Sequence, residues 1–69
     1  MIEEHLEMAH RHVAEGQRLI AGQKERITEL DRDGHDTAEA RKLLLSFEDV
    51  QREHIAHQAR IEQELASLG

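Results

Sequence analysis

Apolar and small side chains in this chain recur at alternating steps of four and three, and the pattern occurs twice. The first series runs Ile2, Leu6, Ala9, Val13, Gly16, Ile20, Gln23, Ile27, Leu30. The second runs Ala40, Leu44, Phe47, Gln51, His54, Gln58, Ile61, Leu65, Leu68. Steps of four and three return to the same face of an α-helix, so each series is a heptad stripe. In heptad letters, Leu6, Val13, Ile20 and Ile27 take a, and Ile2, Ala9, Gly16, Gln23 and Leu30 take d. Leu44, Gln51, Gln58 and Leu65 take a in the second series, with Ala40, Phe47, His54, Ile61 and Leu68 at d. A narrow stripe of this kind has to be buried against another helix.

The stripes are separated by Gly34-His35-Asp36-Thr37. Glycine suits the residue just past a helix end, where a left-handed backbone costs it little. Asp36 and Glu39 have capping-box spacing, in which a carboxylate accepts from the first free N–H groups and Glu39 reaches back; Thr37 is the alternative cap. A stop and a restart this close together predict an antiparallel hairpin. The expected single domain covers residues 1–69, with helix 1 about 2–33, a turn at 34–36 and helix 2 about 37–67. One continuous helix kinked at Gly34 is the alternative, because glycine inside a helix costs only about 1 kcal/mol relative to alanine.

A chain of 69 residues buries a small fraction of its surface. Scaffolds of this size need a disulfide, a metal or a partner, and the absence of cysteine removes the disulfide and thiolate routes. Oligomerisation is therefore expected. Charged residues make up 35% and the net charge is −6, which disfavours contact with nucleic-acid phosphates. No apolar run has membrane-spanning length. The start Met1-Ile2-Glu3-Glu4 is not that of a secretory signal, so a cytoplasmic location is expected.

Folding the two stripes together predicts the flanks. On the e side, Asp31 falls near Arg41, Lys24 near Glu48 and His10 near Glu62, all complementary given a protonated His10, and such pairs would set the register. On the g side, His5 meets Glu64, His12 meets His57, Leu19 meets Val50 and Arg26 meets Leu43. Leu19, Leu43 and Val50 thus widen the apolar stripe on this side only. That flank, with His12 and His57, is the expected interface with a second hairpin, giving a homodimeric four-helix bundle. The alternative is that these residues are a half-covered edge of the hairpin's own core. Along the seam, Gly16 is expected near His54 and Gln23 near Phe47. Gln23, Gln51, His54 and Gln58 are polar seam residues of the kind that specify register or oligomer state.

Six histidines raise the question of a metal. His12, His54 and His57 form the candidate imidazole set, and Glu7 with His10 has the Glu-x-x-His spacing of carboxylate-bridged di-iron bundles. Glu7 falls at b, on the outer face, and a di-iron site needs two such motifs. Solvated or interfacial histidines are the simpler reading, and no cofactor is expected. A pH response is the more plausible use of a His12–His57 contact. No nucleophile–base pair or glycine-rich phosphate loop is present, so no catalytic residues are assigned.

From His12 to about His54 the chain resembles a group of short helical proteins of alphaproteobacteria, rhizobial relatives in particular. The resemblance is carried by His12-Val13-Ala14-Glu15-Gly16, by Ile20, Gln23, Ile27 and Leu30, and by the turn Gly34-His35-Asp36-Thr37. It continues in Ala40, Leu43-Leu44, Phe47-Glu48, Gln51 and His54. That group has no assigned activity, so the resemblance implies a small bacterial protein and adds no catalytic residue. The sequence as a whole points to a non-enzymatic helical interaction or regulatory adaptor module. A histidine-based metal-binding or pH-sensing bundle is the alternative.

Overall fold

The computed structural model of the chain describes residues 2–68. Helix α1 spans Ile2–Arg32 and helix α2 spans Ala38–Leu68. The two pack along each other as an antiparallel hairpin whose Cα trace measures 55 × 14 × 13 Å. The helix ends fall within one residue of the sequence expectation, and the reversal excludes a single kinked helix.

Backbone chemistry explains why α1 stops. Gly34 has φ +76°, in the left-handed region. His35 N donates to Leu30 O at 2.8 Å and Gly34 N donates to Asp31 O at 3.1 Å. This pair of bonds is a Schellman closure, which satisfies two carbonyls that the helix end would otherwise orphan. Helix α2 then starts on a side-chain cap: Asp36 Oδ1 accepts from Ala38 N at 2.9 Å. Thr37 O takes the first helical bond from Arg41 N, and Thr37 Oγ1 accepts from Arg41 Nε, both at 2.9 Å. The reciprocal half of the capping box is not formed. Glu39 Oε1 lies 3.4 Å from Lys42 Nζ, because a cation one turn along the helix competes with the backbone N–H.

Every described a and d position is buried or half-buried except Leu68, so the heptad assignment holds along both helices. The core is nevertheless thin. Ala9, Ile27 and Ile61 are the buried apolar residues, joined by one polar one, Gln51.

The register differs from the expectation in detail. His10 Nε2 lies 3.6 Å from Glu62 Oε1, as the e-flank alignment requires. The Asp31–Arg41 and Lys24–Glu48 ion pairs are not formed among the described residues. Asp31, Arg41 and Lys24 instead line one shallow hollow, and the Arg41 guanidinium is engaged by Thr37 a turn away. A cross-helix pair in solvent is worth only about 0.2–1 kcal/mol, so a local acceptor is enough to displace it. Exposed apolar side chains are also not confined to the g flank. Leu45 at b and Ile55 at e are exposed on the other side of α2.

Substituting Gly34→Ala should lower stability by about 1–2 kcal/mol, the cost of a left-handed backbone for a residue with a Cβ. Chemical denaturation at fixed protein concentration measures it, and an unchanged midpoint would count against the Schellman closure.

Candidate interaction surface

The seam that positions the outer surface is fastened by two glutamine side chains reaching opposite ways. Gln23 of α1 donates through Nε2 to Ala40 O of α2 at 2.8 Å. Gln51 of α2 donates through Nε2 to Val13 O of α1 at 2.9 Å. An amide side chain that touches the facing backbone needs small neighbours. Ala40 and Gly16 stand at these places. Gln51 is 6% exposed, and its amide fills the space that a Cβ on Gly16 would take, with Cδ only 2.7 Å from that position. Gln51 Oε1 is buried and has no hydrogen-bond donor.

These contacts refine the expected pairing. Gly16 is filled by the Gln51 amide in a groove that His54 also lines, and Gln23 bonds to the Ala40 carbonyl. His12 meets His54 rather than His57, with ring centroids 5.2 Å apart and planes tilted by 40°. The His12 partner on α2 lies one turn nearer the loop than expected, while His10–Glu62 and Leu19–Val50 keep the expected alignment. Heptad letters constrain which face is buried, but the sliding of one helix along the other is settled by where each amide finds a carbonyl beside a small residue.

The energetics of Gln51 are mixed. A neutral hydrogen bond contributes about 0.5–1.5 kcal/mol net, whereas a buried unpaired carbonyl costs about 1–3 kcal/mol. Gln51 therefore adds little stability and contributes mainly to alignment.

A groove of about 270 Å³ opens beside this fastening on the g flank, lined by His12, Glu15, Gly16, Leu19, Phe47, Val50, Gln51 and His54. Leu19 and Val50 line it together, as the antiparallel pairing predicts. They remain 55% and 49% exposed, and Leu43, on the same flank, is 46% exposed. Of the sequence-derived interface residues, Leu19, Val50 and His12 border the groove; Leu43 and His57 do not. Gly16, Phe47, Gln51 and His54 also belong to it, residues that sequence reasoning placed in the seam and not at the interface, and Glu15 was not singled out at all. Phe47 could have been found from its d position, one turn from Val50.

The metal reading receives no cluster. His12 and His54 come together without His57. Among the described residues no group of three or more His, Cys, Asp or Glu side chains is arranged to hold an ion. No described helix is long and apolar enough to cross a membrane. Comparison of the chain with protein-family models, curated proteins and solved structures finds no match.

The Gly16–Gln51 contact predicts a non-additive pair. Gly16→Ala should fall short of the about 1 kcal/mol that helix propensity alone would contribute, because the Gln51 amide has to leave Val13 O. In a Gln51→Ala background the same change should stabilise by up to about 1 kcal/mol. A double-mutant cycle by denaturant titration reads both, and additive effects would show that the two residues are not in contact.

Proposed function

We propose that this chain is a non-enzymatic, cytoplasmic interaction module that works as a homodimer, two hairpins joining through their g flanks into a four-helix bundle. Its remaining faces then serve to dock another protein, in the manner of a regulatory adaptor. The observation that carries the reading is the half-exposed apolar groove of Leu19, Phe47 and Val50. Fully burying a Leu or Val stabilises by about 1.5–3 kcal/mol, which a lone hairpin forgoes here.

The surface area supports the same reading. A folded monomer of this mass has roughly 4,500 Å² of accessible surface. The hairpin exposes 5393 Å² at 8.0 kDa. The excess, roughly 900 Å², is close to the ~800 Å² that each partner buries in a specific interface. The excess arises because a two-helix rod has one seam and no second layer, and a layer on the g flank would supply it.

Sedimentation at micromolar concentration tests the proposal. The native chain should run as a dimer, and Leu19→Glu with Val50→Glu should convert it to a folded monomer, since charge placed in an apolar interface must be desolvated. A native chain that stays monomeric would end the reading.

The His12–His54 contact favours a second reading, that of a pH-sensitive bundle. Protonation of both rings would bring two positive charges together at 5.2 Å beside the groove. Glu15 of α1 is the charged residue that lines the same groove, and α2 contributes no carboxylate to that lining. Dimer mass should then fall between pH 8 and pH 5, and His12→Gln should abolish the change. A mass independent of pH over that range would refute it.

A further inference from the structure

Two of the helix-associated glycines have a reason within the chain: Gly16 admits Gln51, and Gly34 reverses the backbone. Gly22 has none. It lies inside a 31-residue helix, where glycine weakens the backbone, and a Cβ built on it meets nothing within 4 Å. It stands one turn from Leu19, on the c/g edge of α1 that borders the apolar groove.

The chemistry along this edge complements itself on reversal. Let a two-fold axis cross α1 midway between Leu19 and Gly22. Leu19 then falls opposite Gly22 of a reversed copy, Glu15 opposite Arg26, and His12 opposite Glu29. A large apolar residue meets the bald spot, a carboxylate meets a guanidinium, and an imidazole meets a carboxylate. A two-fold axis repeats each contact. A parallel, in-register copy would instead set Glu15 against Glu15 and Arg26 against Arg26. The Arg26 and Glu29 side chains are 63% and 53% exposed and touch each other only at 4.0 Å, so both are free to turn outward.

We propose that this edge is occupied by α1 of a second copy, lying antiparallel, with Leu19 of each chain seated over Gly22 of the other and a Glu15–Arg26 ion pair on either side. The inference rests on g-flank dimerisation and specifies its geometry. Glu15 and Arg26 lie eleven residues apart on one helix, roughly 16 Å along its axis, so direct coupling between them has to be intermolecular.

Charge reversal tests it in the full chain. Glu15→Arg and Arg26→Glu, each alone, should weaken self-association about tenfold, since each reversal turns two attractive pairs into repulsive ones. An equimolar mixture of the two variants should recover native-like affinity, because each chain then complements the other at both pairs and fails to complement itself. Circular dichroism establishes that both variants remain helical. Gly22→Ala should also weaken the dimer while raising helicity. A dimeric native chain with unaffected single variants, or with no recovery in the mixture, overturns this geometry and leaves g-flank pairing standing. Unchanged association of Gly22→Ala overturns the seating of Leu19. A native chain that is monomeric removes the dimer reading and this inference together.

Discussion

The closeness with which α1 and α2 meet at Gly16 governs most of what this hairpin presents to the outside. Gln51 lies almost wholly out of solvent there, holding Val13 O with its nitrogen and resting its oxygen where a Cβ would otherwise stand. Gln23 repeats the arrangement in the opposite direction nearer the turn, on Ala40 O. Helix backbone carbonyls lie at fixed heights along the axis. An amide that reaches one of them therefore fixes the sliding coordinate, which interchangeable apolar side chains leave loose. The expected surface ion pairs contribute too little in water to do the same, and the Arg41 guanidinium is held by Thr37 instead.

The choice of polar seam residues has a thermodynamic consequence. Each buried amide replaces an apolar side chain that would have contributed transfer free energy, and Gln51 brings an unpaired oxygen as well. With Ala9, Ile27 and Ile61 as the buried apolar residues, the seam is specific and thin. The g flank is where a groove of apolar side chains lies open. The same fastening that aligns the helices thereby shapes that groove, since Gly16 and Gln51 form part of its floor.

The histidines take their meaning from this alignment. Setting Gly16 against Gln51 brings His12 to His54 at the groove's edge and leaves His57 aside. Two imidazoles without a third ligand are a poor basis for a metal centre, which wants three or four donors converging on one point.

The amino-acid sequence by itself determined the two stripes, the reversal and its chemistry. Period and capping are local properties: the four-three spacing sets which face of each helix is apolar, Gly34 alone tolerates the positive φ, and Asp36 can cap only the helix that follows it. The antiparallel hairpin and the residues on its g flank follow from those facts. Tertiary structure decided the register within the seam, the burial of Gln51, the meeting of His12 with His54 and the loss of two expected ion pairs. These depend on how far one helix slides along the other, and heptad letters are unchanged by a slide of a full repeat and nearly unchanged by a turn. That distance is settled only when a particular amide, a particular carbonyl and a missing Cβ come to the same point in space.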